Sequence, residues 1–181
     1  MAECTWAKSS AVMQEYHDTE WGKPEYDDQK LFGLLCLETF QAGLSWQTVL
    51  NKRAAFNRDF NNFDPHQVAQ MTATDVERLM QDPEIIRNRR KITAAITNAQ
   101  AFLKIEATGG FATYLWSFVD DQQIINHPKS DAEVPATSEL SEQISKDLKK
   151  KGFKFVGPTI IYSFLQGAGI INDHVEGCPF K

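Results

Sequence analysis

The chain has 181 residues, of which 42% are hydrophobic and 24% charged, and its formal net charge is −5. This composition excludes an intrinsically disordered chain, and the length predicts one domain over residues 1–181 with its own core. There is no apolar run long enough for a transmembrane helix, and the N-terminus lacks the residue order of a signal peptide, so we expect a cytoplasmic protein without a membrane partner.

Helical periodicity dominates the predicted elements. Capping residues and glycine or proline stops divide the chain into predicted helices at about 28–41, 45–60, 65–71, 74–80, 85–108, 111–118, 138–151 and 158–168. The start at residue 74 is inferred from a capping box, Thr74-Asp75-Val76-Glu77. Residues 120–137 contain two prolines and are predicted to form a loop. No alternation is long enough for a strand, so the predicted fold class is all-α.

The cysteines and histidines near the two ends of the chain suggest a metal site. Three cysteines without a secretory signal do not make a disulfide framework, and Cys36 lies in an apolar helical run typical of a core. His174-x-x-x-Cys178 has the spacing of half a zinc site, and Cys4 with His17 could supply the other half. A free thiol and two ordinary histidines remain the alternative on spacing alone.

An acidic residue among aromatic ones indicates a ligand pocket. Glu38 projects from an otherwise apolar helix end, and Trp46 follows the tight break at 42–44. Tyr16, Trp21 and Trp6 would gather nearby if the N-terminal segment is held to the body of the protein. Such a pocket suits a flat ligand that is cationic or donates hydrogen bonds. The alternative places Glu38 in water and Trp46 in the core.

A glycine-bounded turn between two predicted helices is a candidate phosphate site. Gly152 and Gly157 allow close approach of the backbone, Lys154 adds charge, and Thr159 begins the second helix, whose free N–H groups suit an anion. The net charge argues against nucleic acid, but basic runs at 87–91 and 146–154 could form a basic face. An ordinary helix corner with solvated lysines is the alternative.

Five separated motifs together carry a family resemblance. They are Cys4-x-Trp6, Tyr16-His17-Asp18-x-Glu20-Trp21-Gly22, Glu38-x-x-Gln41-Ala42-Gly43-Leu44-Ser45-Trp46, Gly152-Phe153-Lys154-Phe155-Val156-Gly157 and Asn172-Asp173-His174-x-x-Gly177-Cys178. With these motifs in this order, the chain resembles the 3-methyladenine DNA glycosylase I family of base-excision repair enzymes from end to end. The resemblance implies an all-α helix-hairpin-helix glycosylase fold, with the hairpin at 152–157 and a zinc clip joining 4–17 to 174–178.

The resemblance also implies a role for each candidate residue. A structural zinc would be held by Cys4, His17, His174 and Cys178. Glu38 would hydrogen-bond the flipped base as the catalytic-site acid, with Tyr16, Trp46, Trp6 and Trp21 as aromatic pocket residues. The implied substrate is double-stranded DNA carrying alkylated adenine, the product is free 3-methyladenine, and the expected state is a monomer.

The resemblance implies the reaction type, and the position of Leu44 at the tip of the 42–44 break suggests a DNA contact. Bifunctional relatives carry a lysine nucleophile just after the hairpin, where this chain has Thr159, so no lyase step is expected. Leu44, beside Gly43, is a candidate wedge for the gap left by the extruded base; packing under its own loop is the alternative. Asp173 and Glu176 are the nearby acids, and neither is assigned to activating water.

Two other classes of protein compete with a glycosylase. One is a zinc-stapled helix-hairpin-helix module that binds DNA without chemistry, which would have no use for Glu38 opposite Trp46. The other is a helical metal-dependent hydrolase, which is disfavoured because four protein ligands would leave no open metal position.

Overall fold

A computed structural model describes residues 4–181, so the first three residues of the predicted domain lie outside it. The α-helices are α1 Ala11–Thr19, α2 Asp28–Gln41, α3 Trp46–Asn51, α4 Arg53–Asp59, α5 Pro65–Ala69, α6 Ala73–Gln81, α7 Arg89–Glu106, α8 Phe111–Ser117, α9 Glu139–Lys150 and α10 Pro158–Gly167. Short 3₁₀ helices span Thr5–Ser9, Asn61–Phe63 and Asp131–Glu133. The predicted helical character is confirmed. None of the described helices has the length and apolar content to cross a membrane.

Several predicted helix boundaries differ from the observed ones. The capping box at α6 is formed by Thr72 and Asp75, with the Asp75 carboxylate accepting the Thr72 backbone N–H at 2.8 Å, so the box predicted two residues later is wrong. The predicted helix at 45–60 divides into α3 and α4 at Lys52. The long helix α7 begins after its N-cap Asn88, because the Asn88 side chain accepts the Lys91 N–H.

The structure also contains elements that the sequence does not predict: helix α1, the three 3₁₀ helices and one pair of short strands. Strand β1, Ile124–Ile125, pairs in parallel with β2, Ile171–Asn172. The Ile124 N–H donates to the Ile170 carbonyl at 2.9 Å. Two-residue strands are too short for any alternation to show in the sequence, and their pairing depends on contacts between distant segments.

The main core surrounds α2, which packs against α3, α7, α8 and α10. Its apolar face buries Phe32 and Phe40 against side chains that include Phe56 and Phe102. A second, smaller cluster joins the N-terminal elements to the C-terminal tail and includes Tyr16 and Trp21. Several candidate functional side chains belong to this second cluster, and Glu38 of α2 reaches them from the main core.

Candidate functional site

A cavity of about 340 Å³ lies between α2, α10 and the N-terminal elements. Its lining contains all five side chains of the predicted pocket: Trp6, Tyr16, Trp21, Glu38 and Trp46. The volume is at the lower end of the range for small-molecule sites, which suits a ligand of one or two rings. Residues more than 30 positions apart therefore meet at one site, as the sequence predicts.

Glu38 is the acidic group of this cavity. Its side chain is buried, with 3% of its surface exposed, and it makes no hydrogen bond to any residue from 4 to 181. Burial raises the pKa of Glu38 to about 8, because the charged form loses its hydration. The alternative in which Glu38 faces water is wrong. A buried acid without a protein partner is costly and remains available to a ligand.

Two aromatic residues flank this acid. Tyr16 and Trp46 have ring centroids 5.4 Å apart at an angle of 58°. The Trp46 Nε1 donor is buried and has no hydrogen-bond partner within the described part of the chain. Burial, with the nearby Glu38 carboxyl, raises the pKa of Tyr16 well above its usual value, so its hydroxyl stays protonated. The cavity thus presents one unpaired acid, one unpaired N–H donor and several ring surfaces.

Sequence reasoning missed Gln166, which also lines the cavity. Its Nε2 donates to Asp173 Oδ2 at 2.7 Å, and Asp173 also accepts from Tyr162 and from Asn126. The Asp173 carboxylate is buried, and both of its oxygens accept hydrogen bonds, so it positions Gln166. The available signal was the polar Gln166 within the apolar run of α10.

A second pocket residue, Asp131, is contributed by the predicted loop at 120–137. Its Oδ2 accepts the backbone N–H groups of Thr5 at 2.8 Å and Trp6 at 3.3 Å. Asp131 therefore holds the 3₁₀ helix that carries Trp6 over the cavity. A single aspartate in a loop without periodicity gave no sequence signal for this contact.

The four predicted metal-ligating residues form one buried cluster. Ligand atoms of Cys4, His17, His174 and Cys178 all lie within 4.8 Å of one another, and such a group could hold a metal ion. Cys178 Sγ is 3.6 Å from His17 Nε2 and 3.4 Å from His174 Nδ1, and Cys4 Sγ is 3.8 Å from the same His174 atom. Burial raises the pKa of the Cys4 thiol to about 12, so this thiol requires a cation to ionise.

Hydrogen bonds orient both histidine rings toward the cluster. His17 Nδ1 lies 2.7 Å from Asp18 Oδ1, and His174 Nε2 lies 2.9 Å from the Trp21 carbonyl oxygen. These outer contacts leave one nitrogen of each ring facing the cysteines, as metal-ligating histidines require. Gly22 permits the close approach: its φ is +75°, and a Cβ there would lie 2.9 Å from the His174 ring.

The cluster and the cavity share two tryptophans. Trp6 packs edge-on against His17 with centroids 5.3 Å apart, and Trp21 packs against His174 at 4.6 Å. Trp6 and Trp21 also contact each other at 5.0 Å. The cluster therefore packs directly against one wall of the cavity.

The predicted DNA-contacting residues lie at the protein surface, where they are exposed or half-buried. Leu44 is 42% exposed at the tip of the break after α2, where Gly43 has a φ of +79°. The alternative in which Leu44 packs under its loop is not supported by this exposure. Between α9 and α10, Gly152 and Gly157 bound the turn, and a side chain at either would meet nothing within 4 Å. The side chains of Lys154 and Thr159 are exposed on the same unit.

Comparison with known proteins identifies the family of this chain. The family model described as methyladenine glycosylase matches residues 6–181. The chain belongs to the methyladenine glycosylase family. Curated relatives include DNA-3-methyladenine glycosylase of Haemophilus influenzae, 46% identical over 98% of this chain and 97% of the relative, and DNA-3-methyladenine glycosylase 1 of Escherichia coli, 50% identical over 98% and 96%.

Solved structures of methyladenine glycosylases share the fold. A crystal structure of 3-methyladenine DNA glycosylase I superposes with a TM-score of 0.95 at 49% identity and covers 98% of both chains. The Staphylococcus aureus enzyme, studied for the structural basis of 3-methyladenine recognition, gives 0.95 at 43% identity, with coverage of 99% and 96%. A Y16F variant of such an enzyme in complex with 3-methyladenine gives 0.96 at 43%, with coverage of 100% and 98%.

In this methyladenine glycosylase, the buried acid makes folding stability depend on pH. We expect Glu38→Gln to be more stable than the unchanged protein by an amount that grows from pH 5 to pH 9. The unfolded chain loses the Glu38 proton near pH 4.5, whereas the folded protein keeps it until about pH 8. The favourable contribution of the protonated group is therefore complete below 4.5 and is lost as the pH rises through 8. The gain at pH 9 should be on the order of a few kcal/mol.

Urea unfolding at the two pH values measures this difference in the free energy of unfolding. Glu15→Gln is the matched control, because Glu15 is an exposed glutamate on α1 and its variant should show no such trend. A gain for Glu38→Gln that is equal at pH 5 and pH 9 would contradict the prediction.

Proposed function

We propose that this enzyme removes 3-methyladenine from double-stranded DNA by hydrolysing the bond between base and sugar. The observation that carries the proposal is the buried Glu38 carboxyl, which has no hydrogen-bond partner in the described part of the chain and lies in a cavity lined by aromatic rings. Membership of the methyladenine glycosylase family supports the same reaction, as do relatives named for 3-methyladenine. A module that only binds DNA would gain nothing from an unpaired acid at this position.

The charge of the damaged base explains why a weakly catalytic pocket suffices. Adenine methylated at N3 in DNA is cationic, so its glycosidic bond is weakened and the base leaves as a neutral molecule with the bonding electron pair. Water then adds its hydroxyl to the sugar C1′ and releases its proton to solvent. The enzyme has mainly to extract the base from the stack and to select it.

Glu38 is proposed to select the cationic base over normal adenine. In the free protein its pKa is raised to about 8, so ionising the side chain near neutral pH costs free energy. A cation in the cavity offsets this cost because an opposite charge favours the carboxylate. Neutral adenine cannot do so. Tyr16 and Trp46 add ring surfaces that bind a flat cation through their π electrons.

The turn between α9 and α10 is proposed to bind the DNA backbone as a helix-hairpin-helix unit. Buried Phe153 and Val156 anchor it, while Gly152, Gly157 and Lys154 face outward, so that backbone N–H groups and charge can hold phosphates. Thr159 stands where a lysine nucleophile would be needed for strand cleavage. We therefore propose a monofunctional enzyme without a lyase step.

Zinc is the proposed occupant of the buried cysteine and histidine cluster. In a tetrahedron with bonds of about 2.0–2.3 Å, neighbouring ligand atoms lie ~3.3–3.8 Å apart. The separations of 3.4, 3.6 and 3.8 Å at Cys178 and Cys4 fit this geometry. Cys4, His17, His174 and Cys178 would hold the ion. Its contribution would be structural, since four protein ligands close the site.

Leu44 is proposed to fill the gap left when the base leaves the stack. Inserting an apolar side chain offsets part of the unstacking cost of a few kcal/mol. We expect Leu44→Ala to lower base release from duplex DNA by about tenfold or more, with unchanged melting temperature and unchanged affinity for free 3-methyladenine. The exposure of Leu44 explains why stability should not change. A fall in stability alone would mean that Leu44 is a packing residue.

Chromatography of bases released from alkylated duplex DNA tests the proposed function. The expected result is free 3-methyladenine, without strand cleavage and without release from undamaged DNA. Binding of alkylated DNA without release of base would instead identify a zinc-stapled binding module. Cleavage of the strand at the resulting site would contradict the monofunctional reaction.

A further inference from the structure

Lys91 belongs to the basic run at 87–91, but its position differs from that of the neighbouring cations. Its side chain is buried, with 6% of its surface exposed, whereas Arg87, Arg89 and Arg90 are exposed. A buried ammonium group costs several kcal/mol unless its donors are engaged. Lysines in a basic run usually face solvent, whereas Lys91 lies inside the protein.

The partners of Lys91 lie at the end of the helix that carries Glu38. Its Nζ donates to the carbonyl oxygens of Phe40 at 2.8 Å and Ala42 at 2.6 Å. These carbonyls belong to the C-terminus of α2 and the first residue of the break that leads to Leu44. The partial negative charge at a helix C-terminus stabilises the ammonium group. Lys91 thus holds the loop at 42–45, which we call the wedge loop.

The same helix holds the hairpin from a position two turns further along. Asn98 is fully buried, and its amide pairs with both backbone groups of Lys154: its Nδ2 donates to the carbonyl at 3.0 Å, and its Oδ1 accepts the N–H at 2.7 Å. Residues seven apart lie on one face of a helix. Lys91 and Asn98 of α7 therefore fix two exposed loops from one rigid element.

We propose that Lys91 is a positioning residue for DNA, which sets the wedge loop at a fixed distance from the phosphate-binding hairpin held by Asn98. The proposal rests on the proposed function, because a wedge is useful only if a base is extracted from a duplex. Phosphates bound at the hairpin fix the position of the DNA along the protein. Because α7 holds both loops, the wedge loop then lies at a fixed place along the duplex. Free base, which enters the cavity without a duplex, does not require this alignment.

Lys91→Met tests the proposal, because it keeps most of the aliphatic chain and removes the donors. We expect single-turnover base release from duplex DNA to fall by about tenfold, comparable to the loss of the wedge itself. The affinity for free 3-methyladenine should stay within about twofold. Lys104→Met is the matched control, since it removes an exposed lysine from the same helix and should leave both quantities unchanged.

A double-mutant cycle with Leu44→Ala separates positioning from general stability. If Lys91 acts through the wedge, the two losses should not multiply. The rate of base release by the double variant should then lie within about twofold of the rate of the slower single variant. Multiplied losses, normal duplex activity of Lys91→Met, or an equal loss of free-base affinity would overturn the proposal. Failure of Lys91→Met to fold would also overturn the proposal. The hydrogen bonds from Lys91 to the end of α2 would then be needed for folding and not for positioning the wedge loop.

Lys91→Arg provides a second variant that keeps a charged donor at this position. It should lose less duplex activity than Lys91→Met at equal free-base affinity, and an equal or larger loss would overturn the proposal. An unchanged protein that releases no 3-methyladenine from duplex DNA would refute the proposed function itself. An active unchanged protein with a fully active Lys91→Met would refute only the role of Lys91.

Discussion

Replacement of Glu38 by glutamine is expected to weaken the binding of free 3-methyladenine by on the order of 1–3 kcal/mol, the usual cost of an unmatched buried polar pair. The carboxylate can accept charge-assisted hydrogen bonds from the nitrogen edge of the base, whereas the amide has lost the charge and one acceptor. The buried location of Glu38 makes this difference larger than it would be in water. Fold and metal content should be retained, since Glu38 is not in the cysteine and histidine cluster.

The effect of Glu38→Gln should also depend on pH. Because the pKa of Glu38 is raised to about 8, the unchanged protein gains carboxylate as the pH rises through that value, and the glutamine variant does not. The affinity gap should therefore be wider at pH 9 than at pH 6. Release of base from DNA should fall by a larger factor than free-base affinity, because the lesion in DNA is cationic.

Titration of free 3-methyladenine, followed by isothermal calorimetry, measures these affinities. Glu15→Gln is again the matched control, since Glu15 is exposed on the helix that carries Tyr16. Equal affinities of the unchanged protein and Glu38→Gln at pH 9 would mean that the carboxylate does not contribute to recognition of the base.

Loss of one cluster ligand should have the largest effect on stability. If zinc occupies the cluster as proposed, we expect Cys178→Ser to lose it and to lower the melting temperature by more than about 10 °C, because metal binding contributes directly to folding free energy. The Cys178 sulfur lies within 3.4–3.6 Å of both histidines, so its removal takes one of the four donor atoms from the centre of the cluster. The ends of the chain are the segments that lose their attachment.

Cys36→Ser provides the matched control, because it makes the same chemical change at a buried cysteine outside the cluster. It should keep one zinc per chain, while Cys178→Ser should keep none, as measured by elemental analysis. At low temperature, where Cys178→Ser is still folded, its single-turnover rate of base release should change little. Its melting temperature should nevertheless fall. Purified unchanged protein without zinc would contradict the structural-zinc proposal.

Local sequence patterns predicted several features that depend on neighbouring residues, although the capping box of α6 lies two residues before its predicted position. The apolar periodicity around Leu31 and Leu35 correctly predicts that Glu38 points inward, because residues three or four apart share a helix face. The helix starts at Pro65 and Pro158 follow from proline at the first helical position. The motif at 174–178 likewise lies within one turn, so its spacing already indicated half of the cluster.

Contacts between distant segments were decided by the tertiary structure. The burial of Lys91 depends on the carbonyls of Phe40 and Ala42, which are about fifty positions away in the sequence. The residues of a basic run do not indicate whether one of its lysines faces water or the end of another helix. The hydrogen bond from Gln166 to Asp173 could not be predicted from the sequence either. Whether a carboxylate is paired depends on the residues that surround it in the folded protein.

The sequence by itself determined that the chain is helical, which acid and aromatic residues are available, and which cysteines and histidines stand near its ends. Only the tertiary structure decided that Glu38 has no hydrogen-bond partner among residues 4–181 and that Trp6 and Trp21 join the cluster to the cavity. The physical reason is the distance along the chain over which each effect acts. Helix propensity and capping act within four residues, whereas burial, pKa shifts and ligand geometry arise from groups that only chain folding brings together.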